Sequence, residues 1–354
     1  MKKALLFDPY LDTLGGGERY FLTFAEVLSS LGYRVEVAWG SSAEIDKARD
    51  RFGLKLDNIT LNSQALSLFT KGGSLLEKLI LTSKYDLIFY VSDGSLPFLF
   101  SKNNLVHFQV PFKKIGGNSL INQLKLLLIH KLVYNSKFTQ NVIEKSLPKS
   151  KGFVLYPPID TESFVSGKKE NLIIGVGRFA SPSHNKHQDI LIEAFREFYK
   201  THPDFHMVLA GGGSNDSPEV TNLVNMAKGF PVEIRVNPNF TELKELYGKA
   251  KFFWHAAGFG VDEEKDPEKV EHFGMTTVEA MSAGCIPIVI AKGGQKEILT
   301  VNTGFLCADV RDIVSYTSEI VDDTQLLVNF SKNVISRSLN FSLIQFSRAM
   351  KTIV

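Results

Sequence analysis

Cysteines and long apolar runs are scarce in this sequence of 354 residues. The only two cysteines, Cys285 and Cys307, lie in apolar runs, so we expect two small core residues in a reducing compartment and no disulfide framework. No apolar run reaches the roughly 18 residues that a transmembrane helix needs. Met1 is followed by two lysines and a short strand-like run, which is unlike a secretory signal. These absences favour a cytoplasmic protein.

Internal repeats and the dinucleotide-binding fingerprint are also missing. No repeat recurs at a period of roughly 20 to 50 residues, which argues against solenoids and propellers. A glycine cluster at 15–17 follows the first strand-like run, but it lacks the spacing Gly-x-Gly-x-x-Gly, and no acid ends the next predicted strand. A dehydrogenase is therefore not favoured. The glycine loop either brings backbone N–H groups against a phosphate or serves only as a tight turn.

Charge is divided unevenly along the chain. Residues 1–165 hold 20 Lys and Arg against 15 Asp and Glu (+5), and the remainder holds 40 − 20 = 20 against 38 − 15 = 23 (−3). The segment 113–151 carries eight lysines and one acid. Leucines at helical spacing predict a basic amphipathic helix over 113–132. Such a helix either lies on an anionic membrane surface or packs on the core with a solvated basic face.

Strands and helices alternate in two blocks. This pattern predicts an α/β protein with two doubly wound, Rossmann-like parallel sheets facing a cleft. The expected divisions are 1–165, a polar linker at 166–171, 172–338, and a final helix within 339–354. The predicted strands cover residues 3–8, 34–39, 58–61, 87–91, 105–109, 172–176, 207–210, 232–236, 252–254 and 286–291.

The stretch 252–287 carries the most chemistry. An apolar run leads to an acidic loop, a helix predicted to open at Glu271–Gly274, and a further apolar run. A helix N-terminus offers free N–H groups and roughly half a positive charge, and Gly274 would let the backbone approach a ligand. Glu271 and Glu279 can accept hydrogen bonds from sugar hydroxyls. We therefore expect a site for a phosphate-bearing ligand, the alternative being acids placed only for the helix dipole.

A pair of cations follows the strand at 172–176. Arg178 and Lys186 stand eight residues apart across a polar loop. Two cations converging on one point can neutralise a diphosphate leaving group; the alternative is two solvated surface cations. His184 and His187 flank the lysine without the spacing of a metal site, so we expect surface residues there.

The stretch 252–287 resembles the signature of the retaining, nucleotide-sugar-dependent glycosyltransferases of family 4, which have the GT-B fold. Its form Glu-His-Phe-Gly is most similar to the branch that contains mannosyltransferases of lipid-linked oligosaccharide assembly. The matching residues are Glu271, Phe273, Gly274, Glu279, Ala280, Met281, Gly284 and Pro287.

The resemblance implies transfer of a hexose, with mannose favoured, from a GDP- or UDP-sugar to a glycan or lipid-linked glycan acceptor, with no metal required. Residues 1–165 would bind the acceptor, 172–338 the nucleotide sugar, and the final helix would cross back to the first domain. Arg178 and Lys186 would stabilise the leaving diphosphate, and Glu271 would hold sugar hydroxyls. The residues implied in donor binding are Gly16, Gly17, Gly177, Phe273, Gly274, Met275, Thr276 and Glu279, with Glu279 on the ribose.

The resemblance also assigns His107, at the end of a predicted strand, to the sugar pocket. A lone histidine there is otherwise typical of a satisfied core residue. No nucleophile is implied, since the leaving phosphate can itself accept the acceptor's proton.

An acidic insertion at 258–269 departs from the family pattern, and it is either a mobile lid or a solvated loop. The alternatives for function are an epimerase or hydrolase of nucleotide sugars on the same fold, or a non-catalytic subunit of a glycosyltransferase complex. Peripheral membrane contact through 113–151, at the inner face of the membrane, is expected, and no nucleic-acid partner is.

Overall fold

The computed structural model describes residues 1–116, 119–147, 151–179 and 185–354. It contains two compact units, one of residues 1–158 with 346–354 and one of residues 159–345. The first unit thus ends at Pro158, before the expected boundary at 165, and the chain rejoins it at Phe346. The assignment of acceptor to one unit and donor to the other stays a prediction.

Each unit is built around one parallel sheet. The strand order is β3-β2-β1-β4-β5-β6-β7 in the first unit and β10-β9-β8-β11-β12-β13 in the second. All the pairings are parallel, as expected for two Rossmann-like domains. The strands are β1 (Lys3–Phe7), β2 (Arg34–Val37), β3 (Ile59–Leu61), β4 (Leu87–Val91), β5 (Asn103–Phe108), β6 (Lys131–Tyr134), β7 (Gly152–Val154), β8 (Glu170–Val176), β9 (His206–Gly211), β10 (Val232–Val236), β11 (Ala250–His255), β12 (Ile286–Ile290) and β13 (Phe305–Cys307).

Helices connect these strands, because a parallel pair needs a crossover that returns the chain to the starting edge. The helices are α1 (Gly16–Ser30), α2 (Ser42–Phe52), α3 (Ser63–Thr70), α4 (Leu75–Thr82), α5 (Leu120–Leu128), α6 (Lys137–Ile143), α7 (Gln188–Tyr199), α8 (Pro218–Ala227), α9 (Phe240–Lys249), α10 (Met275–Ser282), α11 (Gln295–Ile298), α12 (Val310–Asp322), α13 (Thr324–Ser338) and α14 (Leu343–Met350). Within the described ranges, no helix is both long and apolar enough to cross a bilayer.

The sequence prediction was wrong at one helix and missed three strands. The helix predicted over 113–132 is α5, which covers only Leu120–Leu128. Its expected last turn is instead β6, which pairs in parallel with β5. Leu132, Val133 and Tyr134 are completely buried there, and an apolar run buried on both faces cannot be told from a helix by periodicity. The short strands β7 and β13 were not predicted either. Both cysteines are buried with free thiols, as expected.

The last residues of the chain belong to the core of the first unit. Phe346 is buried edge-on against Tyr20, with ring centroids 5.4 Å apart, and lies 6.4 Å from Phe24. The end of the chain is also held by Asn103, whose side-chain amide donates a hydrogen bond to the Ile353 carbonyl at 2.8 Å. The C-terminal segment therefore covers apolar side chains of the first unit that would otherwise be exposed.

We predict that Phe346→Ala lowers the free energy of unfolding of the first unit by about 3–5 kcal/mol, because it leaves a cavity beside two aromatic rings. Ile344→Ala is the matched control, since Ile344 lies on the same helix but is exposed, and it should change stability by no more than about 0.5 kcal/mol. Urea unfolding measures both. Equal stability of the two variants would show that the terminal segment does not stabilise this core.

Candidate active site

The carboxyl ends of β8 and β11 mark the topological switch point of the second sheet. From β8 the chain proceeds to β9 and β10 on one side, whereas from β11 it proceeds to β12 and β13 on the other. The following loops therefore leave in opposite directions and open a crevice, which is where open α/β sheets bind ligands. Arg178 and Lys186 follow β8, and Glu271 and Gly274 follow β11. The topology thus brings these predicted residues to one edge of one sheet.

Lys186 and Glu271 form an ion pair across the switch point. Lys186 Nζ lies 2.8 Å from Glu271 Oε2, with side chains 28% and 16% exposed. The lysine stem packs over Gly177, where an added Cβ would come within 2.9 Å of Lys186 Cγ. Burial acts to raise the pKa of Glu271, but Lys186 and His255 outweigh it and hold that pKa well below its usual value. Glu271 is therefore a carboxylate at neutral pH.

A second contact to Glu271 comes from His255, the last residue of β11, to which the sequence pattern assigned no role. Its Nε2 lies 3.3 Å from Glu271 Oε2. Behind it, Gln295 Nε2 lies 3.3 Å from His255 Nδ1, and Thr277 Oγ1 donates to Gln295 Oε1 at 3.0 Å. In the sequence, His255 is recognisable as the polar residue that ends an apolar, strand-like run. Gln295, forty residues further on, was not among the predicted site residues.

Gly274 precedes the first turn of α10, which begins at Met275 and not at 271–274 as expected. Its φ of 116° is in the left-handed region, and an added Cβ would lie 3.0 Å from Gln295 Nε2. Glycine is thus required for both conformation and space. Glu279, in the middle of α10, is buried, and its expected contact with a ribose stays a prediction, as do those of Phe273, Met275 and Thr276.

Arg178 is exposed and forms no ion pair with any residue that the structure describes. Its Cγ would lie 3.7 Å from a Cβ added at Gly212, which follows β9. Its backbone is fixed, since Gln188 Nε2 donates to the carbonyls of Gly177 and Arg178, both at 3.2 Å. His184 lies outside the described residues, whereas His187 is half-buried with Nδ1 3.8 Å from Asp189.

The acidic insertion at 258–269 is held against the loop after β12. Glu263 Oε2 accepts from the Gly293 N–H at 2.8 Å, and Glu263 Oε1 lies 2.5 Å from Lys296 Nζ. The same loop supports the site from the other side, because the Gly294 N–H donates to the Glu271 carbonyl at 2.8 Å. A side chain at Gly293 would place its Cβ 2.0 Å from that carbonyl oxygen. One acid of the insertion is thus neutralised, and the loop is anchored at that point.

The remaining predicted residues, Gly16, Gly17 and His107, lie in the first unit. Gly16 opens α1, and a Cβ on Gly17 would fall 2.0 Å from Gln109 Oε1. His107 is completely buried, with its ring stacked 4.4 Å from that of Tyr20. Its Nδ1 lies 3.1 Å from the Val133 carbonyl, and burial lowers its pKa to about 3. His107 is therefore neutral, and its contact with a donor sugar stays a prediction.

No group of three or more His, Cys, Asp or Glu side chains lies close enough together to hold an ion within residues 1–116, 119–147, 151–179 and 185–354.

Comparisons with known proteins agree with the geometry of the second unit. The family model described as "Glycosyl transferases group 1" matches residues 158–337. The chain is 26% identical over 238 residues to the GDP-Man:Man(3)GlcNAc(2)-PP-Dol alpha-1,2-mannosyltransferase of Dictyostelium discoideum, covering 61% of this chain and 45% of the relative. The chain therefore spans about half the length of the curated relatives it matches.

Two solved structures share the fold over nearly the whole chain. A glycosyltransferase from Rickettsia africae has a TM-score of 0.76 at 18% identity, covering 99% of this chain and 97% of that one. Anabaena HepE in complex with UDP and glucose has a TM-score of 0.72 at 16% identity, covering 99% of both chains. These similarities show the GT-B fold.

We predict that the contribution of Glu271 to stability depends on pH. Because its pKa is lower in the folded than in the unfolded chain, its stabilisation is full above the unfolded value of about 4.3 and is lost as pH falls through the folded value. Glu271→Gln should therefore destabilise the second unit by about 1.5–3 kcal/mol at pH 7, and the gap to the unmodified protein should narrow below about pH 4. Thermal unfolding at a series of pH values measures this. Glu193→Gln, at an exposed position on α7, is the control, and a gap for Glu271→Gln that does not depend on pH would contradict the assignment.

Proposed function

Because the chain belongs to the family of glycosyl transferases group 1, we propose that it transfers a hexose from a nucleotide diphosphate sugar to an acceptor hydroxyl, with retention of configuration. The observation that carries this proposal is the Lys186–Glu271 pair at the switch point of the second sheet. It joins a cation suited to a diphosphate and a carboxylate suited to sugar hydroxyls at one place.

The chemistry follows from where charge develops. As the glycosidic bond breaks, the sugar carbon becomes positive and the diphosphate gains negative charge. Arg178, which has no partner among the described residues, and Lys186 would neutralise that diphosphate, and the N–H groups at the start of α10 would contribute their dipole. Glu271, ionised and fixed, would hold the sugar hydroxyls and favour the positive sugar. Lys186 then changes partner from Glu271 to the donor phosphate, or bridges the two.

Mannose as the sugar and GDP as the nucleotide are the finer parts of the proposal. They rest on the Dictyostelium relative, whose name specifies GDP-mannose and a lipid-linked acceptor. The Anabaena structure contains UDP and glucose, so a UDP-sugar is the competing donor. The base is not read out by any residue identified above.

We predict that Arg178→Ala and Lys186→Ala each reduce transfer at least tenfold, a loss of about 1.4 kcal/mol or more in transition-state stabilisation. Arg196→Ala is the matched control, because Arg196 lies on α7 and its guanidinium contacts Phe230. The donor is first identified by thermal shift with GDP-mannose, UDP-glucose and UDP-GlcNAc, since a ligand stabilises the fold in proportion to its affinity.

The assay measures both product formation and nucleotide release. Full activity in a folded Lys186→Ala variant would refute the site. Release of nucleoside diphosphate at an undiminished rate without acceptor would show a hydrolase instead, and the absence of a thermal shift with every donor would favour a non-catalytic subunit.

We further propose that the first unit docks on an anionic membrane through α4 and α5. Their exposed apolar side chains form one set: Leu75, Leu76, Leu79, Ile80, Leu120, Ile121, Leu124 and Leu127. Burial, and then repulsion from Lys78, lowers the pKa of Lys125. Leu126 and Ile129, which lie in the segment predicted as this helix, are buried in the core. Apolar side chains among lysines suit an anionic lipid surface, and a lipid-linked acceptor would be found there.

We predict that Leu124→Ser/Leu127→Ser abolishes flotation with vesicles of anionic phospholipid, because it removes apolar surface from the interface. Lys78→Ala on α4 and Lys125→Ala on α5 should each weaken binding about fivefold, from the loss of roughly 1 kcal/mol per lysine. Val301→Ser is the control, since Val301 is exposed in the second unit. Equal flotation of the double variant and the control, or binding that is indifferent to lipid charge, would disprove this docking surface.

A further inference from the structure

A line of buried polar side chains lies behind Glu271. His255 is 3% exposed, and Gln295 and Thr277 are fully buried. Each buried polar group costs free energy unless it is hydrogen-bonded, so a chain of three in a core is retained only where it serves a purpose or is fully satisfied. Here the line runs from Thr277 through Gln295 and His255 to the Glu271 carboxylate, with separations of 3.0, 3.3 and 3.3 Å. The last of these is a close approach of Nε2 to the carboxylate without the alignment of a hydrogen bond.

The charge on Glu271 determines where the histidine proton lies. A carboxylate can only accept, so at a distance of 3.3 Å it favours the ring form that carries a proton on Nε2. Nδ1 of a neutral ring is then an acceptor, which matches the N–H₂ group that Gln295 presents to it. If the Gln295 amide were reversed, its oxygen would face the lone pair on His255 Nδ1. In the orientation that the structure has, the Thr277 hydroxyl donates to the amide oxygen at 3.0 Å.

The surrounding glycines leave room for this arrangement. A Cβ at Gly274 would press on Gln295 Nε2 at 3.0 Å, so glycine there serves the glutamine as well as the start of α10. The Gly294 N–H fixes the Glu271 backbone. The carboxylate is thus held from its main chain, from Lys186 and from His255, and only Lys186 is also suited to a diphosphate.

We propose that His255, kept as the Nε2–H tautomer by Gln295, is a positioning residue that holds Glu271 ionised and oriented when Lys186 turns to the donor diphosphate. This inference rests on the proposed function for its role in turnover, but the tautomer itself does not. Without His255, engagement of Lys186 by phosphate would leave a largely buried carboxylate with no side-chain donor among the groups identified here.

The tautomer is tested first, in the protein without ligand. Long-range ¹H–¹⁵N correlation spectra distinguish Nε2–H from Nδ1–H rings, and His255→Gln identifies the signal among the eight histidines. We expect His255 to be the Nε2–H form, and we expect Gln295→Leu to change the Nδ1 shift by removing its donor. A predominant Nδ1–H ring in the unmodified protein, or an Nδ1 shift unchanged in Gln295→Leu, would overturn the proposal whether or not the protein transfers sugar.

Turnover is tested second, with the donor that the thermal-shift screen selects. His255→Leu should lower kcat at least tenfold with less than a threefold change in donor KM, whereas His255→Gln, whose amide can donate from the place of Nε2, should stay within threefold of the unmodified kcat. Thr317→Val is the structural control, because it removes a buried hydrogen bond from Trp254, the neighbour of His255 on β11, and it should leave kcat unchanged. Equal losses in the Leu and Gln variants, or a loss in KM alone, would overturn the positioning role. If His255→Leu does not fold, Gln295→Leu serves in its place, with the same kcat loss expected and an unchanged kcat contradicting the proposal.

Discussion

The ionised carboxylate of Glu271, largely withdrawn from water, is the constraint on which the rest of the site depends. Burying a charge without partners costs several kcal/mol, so such a group either neutralises or is matched by opposite charge and hydrogen bonds. Here Lys186 supplies the opposite charge at 2.8 Å, and His255 Nε2 approaches the same carboxylate oxygen to 3.3 Å. A buried negative charge beside a cation is complementary to a ligand that is positive near the carboxylate and negative near the lysine, as a sugar separating from its diphosphate is.

The parallel sheet explains why these groups meet at all. β8 and β11 are neighbours although they are far apart in sequence, and their following loops depart to opposite sides. Lys186 arrives from the loop after β8, and Glu271 arrives from the loop after β11. A change of topology that separated β8 from β11 would remove the site while leaving every helix and strand intact, so the strand order is as much a part of the site as its side chains.

The parts of the site that were predictable from sequence are those with local signals. Glu271 and Gly274 stand at fixed spacing in one short motif, and Arg178 and Lys186 stand across one loop. Gln295 reaches Glu271 only through His255. Nothing in the local sequence around either residue distinguishes such a contact from ordinary burial in the core. The strand β6 was missed for a related reason: its apolar run continues the spacing of α5, and only pairing with β5 distinguishes the two.

The acidic insertion shows how an apparent contradiction in sequence is resolved by geometry. A loop rich in carboxylates beside a site for an anionic donor would repel that donor if the charges were free. Glu263 is instead paired with Lys296 and with the Gly293 N–H, and this loop in turn donates from Gly294 to the Glu271 carbonyl. Glu263 therefore helps to fix the loop whose Gly294 N–H holds the Glu271 backbone, and its own charge is matched by Lys296 and by the Gly293 N–H.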